Sequence, residues 1–398
     1  MTTPLEACGK PYFFKVANGD NINLQVPALQ REVSARLWVR SLSEMQKEAL
    51  IRVSDCDTVW RLCSDEGPYL AGADLAPCPL AFLTAGMISS YMNEIQALAR
   101  MRGIGLNKIT LVQDNYYTMD GSALKGTMVG GALPVELEVQ LDSAADNGDL
   151  NSLVIDAIAA SPLNGLMRGQ YDSLFTLSHN GRELPVGAVM KLNRPVDPDP
   201  GDQFDFADPA PDTVAGKLIE KIVEAKDAHN ATALAATKNS SLSESQKRRL
   251  QVRGTCTVRA DGVKEIVQQL FNPKGSTFRF LSEEAPGGGG QGRAPDAISY
   301  ISAGIGFCFM TQFGRYAQIV KKDLKDYRIV QDTHFSKGGA SGGTGNAGEA
   351  DPVETHVYLR SSEDDDFART ILDMAEKTCF LHAFCRTDLK TRYRITRI

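Results

Sequence analysis

The sequence predicts an α+β protein made of two copies of one unit, folded together as an intramolecular pseudo-dimer. Three observations predict it. Blocks of sequence recur at a held spacing. Each copy passes through the same order of strand-like and helix-like segments. Each copy also carries one long apolar segment rich in Ala and Gly. The recurrence opens with Ser41-Leu-Ser-Glu-Met-Gln-Lys-Glu-Ala-Leu50, which returns as Ser241-Leu-Ser-Glu-Ser-Gln-Lys-Arg-Arg-Leu250, with Cys56 and Cys256 at the same offset of 200. From Arg61 the offset becomes 218, which reads as an 18-residue insertion around 259–276 of the second copy. Arg61 then pairs with Arg279, Ser64 with Ser282, Glu66 with Glu284 and Ala85-Gly86 with Ala303-Gly304. The same offset pairs Val112-Gln113-Asp114 with Val330-Gln331-Asp332, and Arg168 with Arg386. Chance does not hold one offset for so long. Two domain-sized copies suggest a fused homodimer, because the cyclic dimer is the commonest symmetric assembly.

Within each copy the elements follow in order. A helix-like start (41–53, 241–252) leads into short strands (56–64; 255–260 and 277–283) and a Gly/Pro-rich loop (67–79, 285–295). The Ala/Gly-rich segments 80–102 and 296–321 lack proline and are too long for one strand, so they read as buried helices. Their small residues would let another element approach closely. Strands are expected at 107–117 and 326–335, and at 133–141 and 352–359, with a Gly-rich turn between them. A second helix (147–160, 364–378) and a last strand (171–178, 388–396) close the unit. The order β-β-α-β-β-α-β suggests α+β, with helices on one side of largely antiparallel sheet. The expected divisions are an N-terminal extension without counterpart (1–40), the first repeat (41–180), a connecting region (181–240) and the second repeat (241–398). In the connecting region, 195–212 is acidic and proline-rich, hence extended and solvated, and 213–237 reads as an amphipathic helix.

Composition narrows the function. A net charge of −6 argues against broad electrostatic binding to nucleic acid or anionic membrane. No apolar run approaches the roughly 18 residues of a membrane span. The start, MTTPLEACGKPYFF, lacks the pattern of a secretory signal, so a cytoplasmic protein is expected. Eight cysteines contain no CxxC, and five histidines form no zinc-like cluster with them, so neither metal nor cofactor is expected.

Thiol chemistry stays open. Cys308 lies in the second long helix, Cys379 at the end of the following helix, and Arg279 on a strand. A guanidinium near a thiol favours the nucleophilic thiolate. Two cysteines can reduce a peroxide, one attacking and the other resolving the sulfenic acid as a disulfide. The element order, the Ala/Gly-rich helix with its cysteine, and Glu376-Lys-Thr-Cys379-Phe-Leu-His382 resemble the OsmC/Ohr family over 41–180 and 241–398. The resemblance implies a thiol-dependent peroxidase for organic hydroperoxides, with active sites at the interface of an intertwined dimer whose long helices lie at the centre with the sheets wrapped around them. It implies Cys308 as peroxidatic, Cys379 as resolving, Arg279 as the activating arginine and Asp296 as the helix-start acid. Phe380 replaces the proline that usually follows the resolving cysteine, and Asp296 replaces a glutamate. Between Pro295 and Cys308 lie two residues more than the usual spacing, and a gapless match would put Gly306 at the cysteine position.

The first copy keeps Arg61, but Ser90 and Ser161 stand where Cys308 and Cys379 stand in the second. It could still lend Arg61 or Glu66 to a shared site, and Glu284 is the counterpart of Glu66. His382 reads either as a base tuning Cys379 or as a satisfied helix-end histidine. Expected partners are a small-molecule substrate, an organic hydroperoxide or other apolar ligand, together with a thiol reductant; a further homo-oligomer stays open. A different enzyme on the same scaffold, such as a hydrolase, and a non-catalytic binding protein are the competing classes.

Overall fold

The computed structural model describes residues 2–43, 45–225 and 246–398. Its strands form two mixed sheets. The first holds β1 (Phe14–Lys15), β2 (Val33–Ser41), β3 (Lys47–Val53), β4 (Cys56–Ser64), β8 (Leu174–His179), β9 (Arg182–Leu184), β10 (Met190–Lys191), β15 (Asp326–Phe335) and β16 (Glu354–Arg360). The second holds β5 (Lys108–Gly121), β6 (Val129–Ala132), β7 (Val135–Asp142), β11 (Ile219–Val223), β12 (Gln246–Val258), β13 (Lys264–Asn272), β14 (Thr277–Ser282) and β17 (Thr391–Arg397). The strand orders are β1-β4-β3-β2-β15-β16-β8-β10 and β11-β14-β13-β12-β5-β7-β17. Each sheet therefore joins a meander from one half of the chain to a strand pair from the other. Registers match as well. Lys47 lies opposite Ser64 and Lys264 opposite Ser282, while Arg36 faces Asp332 and Arg253 faces Asp114.

Besides a short helix at Pro4–Ala7, the described residues hold helices α1 (Pro79–Met101), α2 (Asn147–Ala160), α3 (Pro162–Arg168), α4 (Ala297–Val320), α5 (Asp365–Thr378) and α6 (Phe380–Arg386). The long pair, α1 and α4, occupies the interior, α1 against the second sheet, α4 against the first, and each against the other. Glycine sets their spacing. A Cβ at Gly86 would stand 2.6 Å from the Ala297 carbonyl oxygen and Ile301 Cγ1, and one at Gly304 2.6 Å from the Leu83 nitrogen. Gly86 meets Ile301 while Leu83 meets Gly304, so the helices run antiparallel. By length and composition α4 could cross a membrane, contrary to the sequence expectation. Its apolar surface is instead buried between the layers.

Several other expectations are corrected. The helix-like starts are strands: 47–53 is β3, and 246–258 is β12, while 241–245 lie outside the described residues. Ala49, Ile51 and Val53 face the main core and Leu50 packs on the opposite side with Trp38 and Val59. A strand covered on both faces loses its alternation, so a short stretch of it can pass for a helix. The matched blocks 41–50 and 241–250 therefore lie in different elements, and the presumed insertion at 259–276 contains β13. Of the expected extension 1–40, residues 33–40 belong to β2, which holds the place in its sheet that β12 holds in the other. In the expected helix 213–237, residues 219–223 form β11, and 226–237 lie outside the described residues. The acidic segment 195–212 straps the outer face of the first sheet: Phe204 is buried with Trp38, Asp197 pairs with Arg36, and the Tyr358 hydroxyl donates to the Asp197 carbonyl. The closing strands β8 and β17 run parallel to β16 and β7, so the sheets are mixed.

Candidate functional site

Two helix bends organise the polar interior. The chain turns 72° between α2 and α3, with Ser161 closing one helix and opening the next. Cys379 does the same between α5 and α6, with nearly the same backbone (φ −72°, ψ 119° against −63° and 131°). Such a bend leaves the next backbone amides without helical acceptors. Cys379 Sγ accepts one from His382 at 3.5 Å. Cys308, in the middle of α4, lies within electrostatic reach of Cys379, which raises its thiol, and of the Leu381 amide, which lowers it. Both are free thiols, with 2% and 0% of their surface exposed. Burial, with Cys379 beside it, pushes the Cys308 thiol well above its ordinary range. Gly306 faces elsewhere: a Cβ there would meet Leu37 and Val39 of β2.

The first half of the chain supplies much of the surroundings. Tyr117 stacks on Phe380 at 5.7 Å. Its phenol is raised by burial, with Cys308, Cys78 and Cys379 acting on it as well. The Tyr69 hydroxyl donates to Glu66 at 2.8 Å. Burial pushes the Glu66 carboxyl up to about 7, and its charge acts on Cys308. Arg315 lies seven residues after Cys308, two turns along the same helix face. It is buried, and that burial lowers it to about 10. Lys47 and Arg315 are the cations acting on Glu66. The sequence reading missed both, and also Tyr117, although i+7 spacing on a helix could have singled out Arg315.

The predicted arginines lie elsewhere, for a reason of strand parity. Trp60 and Leu62 face the core, so Arg61 between them faces outward; Phe278 and Phe280 place Arg279 likewise. Arg61 binds Glu48 at 2.7 Å and the Pro11 carbonyl at 2.6 Å. Arg279 binds Glu220 at 2.9 Å and Glu265 at 3.5 Å. No described contact of either reaches Cys308 or Cys379. Asp296 caps α4, accepting the Ser299 amide at 2.6 Å, twelve residues or about 18 Å before Cys308. Burial and then the charge of Glu284 push it up to about 7. Glu284 pairs with Lys264 at 3.2 Å. Because α1 and α4 are antiparallel, this acidic end lies beside Ser90 instead. There Ser90 and Ser161 share a hydrogen bond of 2.7 Å. The His382 ring is wedged between Phe309 and Phe175, with centroids at 4.7 and 5.6 Å, and neither ring nitrogen has a hydrogen-bond partner among the described residues. Burial lowers it to about 3, so the neutral ring is a poor base and its amide is what serves Cys379. Among the described residues, no group of three His, Cys, Asp or Glu side chains is placed to hold a metal ion.

Comparison with known proteins places this site in a family context. Residues 288–394 match the family model described as OsmC-like protein. The matched segment spans Cys308 and Cys379. A solved structure similar to this chain is an OsmC-like hydroperoxide resistance protein from Jannaschia sp. CCS1. It has 22% identity over 32% of this chain and 79% of that one, with a TM-score of 0.19. No curated protein matches.

Proposed function

We propose that the chain is a fused pair of OsmC-like units in which one thiol site reduces organic hydroperoxides. The observation that carries this reading is the pair of neighbouring buried thiols, Cys308 and Cys379, at a helix bend. Its serine counterpart, Ser90–Ser161, occupies a bend of the same geometry. Duplication is supported by the matched strand orders and by the paired ion bridges Arg36–Asp332 and Arg253–Asp114. Two equivalent clefts between the halves support it too. One is lined by Trp60, Glu283 and Asp296, the other by Phe278, Asp65 and Cys78.

In this reading the Cys308 thiolate attacks a peroxide oxygen of ROOH, breaking the O–O bond. Cys308 becomes a sulfenic acid and RO⁻ takes a proton to leave as ROH. The Cys379 thiol then attacks the sulfenic sulfur, forming the disulfide and releasing water. An external dithiol returns both sulfurs to thiols. Glu66, raised to about 7, is the nearby carboxyl suited to exchanging protons near neutral pH. Arg315 and Lys47 replace Arg279 as the local positive charge.

The test is consumption of cumene hydroperoxide by purified protein with dithiothreitol. Cys308→Ser is expected to reduce turnover to background, and Cys379→Ser to permit a single oxidation without turnover. The burial of both thiols favours a second reading, a scaffold that binds an apolar ligand without chemistry. Wild-type protein that consumes no hydroperoxide and keeps both thiols reduced under oxidant would select that reading.

A further inference from the structure

A reductant must reach the disulfide, and Cys308 and Cys379 are sealed inside the protein. The route is marked by a third cysteine. Cys78 sits at the N-terminal end of α1 and is half-buried. It lines a cleft of about 310 Å³, partly open to solvent, with Asp65, Tyr69, Asp74, Gln268 and Ser276 around it. The antiparallel helix contacts fix what faces it. Leu83 meets Gly304. Five residues back along α1 is Cys78, and five forward along α4 is Phe309, beside Cys308.

We propose that Cys78 is the third thiol of this site, carrying reducing equivalents from the cleft to the buried pair. The proposal rests on the redox reading of Cys308 and Cys379. Its chemistry is thiol–disulfide exchange. Cys78 loses its proton, and its thiolate attacks Cys308 Sγ, breaking the bond to Cys379. Cys379 leaves as thiolate and takes up a proton. One thiol of a dithiol entering the cleft then attacks Cys78 Sγ and releases Cys308, and its second thiol attacks the resulting mixed disulfide, releasing Cys78 and leaving the dithiol oxidised.

Three further observations agree. The charges of Cys78, Cys308 and Cys379 all act on the Tyr117 phenol. Glu66 acts on both Cys78 and Cys308. At the other site the position of Cys78 is taken by Asp296 and that of Tyr117 by Phe335. A thiol at this helix-start position is thus found beside the thiol pair and not beside the serine pair, whose equivalent cleft carries Cys56 at a different place, on β4.

Two measurements on the full chain test this. In the first, Cys379→Ser protein is treated with diamide, a thiol oxidant independent of peroxide chemistry, and disulfides are mapped by peptide mass spectrometry without reduction. A Cys78–Cys308 bond is expected. In the second, the oxidised wild type and Cys78→Ser are re-reduced with dithiothreitol. The variant is expected to recover its thiols at least about tenfold more slowly. Serine is a preferred helix N-cap, so the variant should fold. Absence of the Cys78–Cys308 bond together with re-reduction of Cys78→Ser at the wild-type rate would overturn the relay, even if hydroperoxide is consumed. The cross-link and the slow recovery, in a protein that ignores hydroperoxide, would keep the relay and remove the peroxidase reading.

Discussion

The thiol site and the serine site sit at equivalent bends of the chain and keep an equivalent glutamate and lysine, Glu66 and Lys47 against Glu284 and Lys264, yet differ in the side chains that could do redox chemistry. Around Cys308–Cys379 lie Glu66, Tyr69, Tyr117 and Cys78. Around Ser90–Ser161 lie the acidic end of α4, with Asp296 and Glu284, and the buried Lys264. At the serine site the two hydroxyls share a hydrogen bond of 2.7 Å across the bend. The difference teaches that the fold requires a small polar pair at this corner and leaves its redox character free to change. One site could thus lose sulfur while both remained built.

The strongest way to break that comparison is to restore sulfur to the serine site. The double variant Ser90→Cys, Ser161→Cys should form a second internal disulfide under diamide, raising the oxidisable pairs from one to two. Peptide mapping checks it, and a double variant with both new thiols still reduced would mean that the bend geometry alone does not permit pairing. The next effect concerns pH. Burial raises the Cys308 thiol, so the thiolate fraction grows as pH rises. Single-turnover oxidation should accelerate about tenfold per pH unit from neutral into the alkaline range. A flat profile in stopped-flow measurements would mean that attack does not depend on this ionisation.

A smaller effect separates His382 from Asn164, which holds its place at the serine site. His382 titrates at about 3 in the fold against an ordinary 6.5. The unfolded chain therefore binds a proton that the folded one refuses. The corresponding stability is complete above about pH 6.5 and is lost as pH falls toward 3. His382→Leu should flatten the fall in denaturation midpoint across that window; an unchanged slope would assign acid lability elsewhere. The smallest effect is expected at Arg279, which faces outward and is engaged by Glu220 and Glu265. Arg279→Ala should change hydroperoxide turnover by less than about twofold, because exposed ion pairs contribute little. A hundredfold loss would show that the arginine reaches the thiols during catalysis.

The sequence made the interior legible and the sheet starts illegible. Ala85-Gly86 and Ala303-Gly304 marked the two central helices because close packing leaves few residue choices there. Cys308 and Cys379 could be paired from their places on successive helices. Strand pairing was hidden, since β2 and β15 are almost three hundred residues apart and a local pattern carries no trace of such a partner. The repeated Ser-Leu-Ser-Glu block drew 41–50 toward 241–250, although Lys47 corresponds in register to Lys264. Arg61 and Arg279 were assigned to the site by residue type, and the alternation of their apolar neighbours was the signal that places them outside it. Along the offset Cys78 stands opposite Asp296, so nothing in the local sequence ties it to Cys308. Its role depends on an antiparallel helix contact that sequence spacing does not reveal.

The exchange of strands between halves also governs how the chain can be made. Val33 of β2 pairs with Phe335, and Arg40 with Arg328. During synthesis the first half must wait with an open, apolar sheet edge until β15 and β16 leave the ribosome. Contacts of such long sequence range slow folding, and exposed strand edges invite aggregation. Ribosome-bound chains halted before residue 326 should therefore remain protease-sensitive and engage chaperones. Protection should appear late and abruptly, once the second half can supply the missing strands.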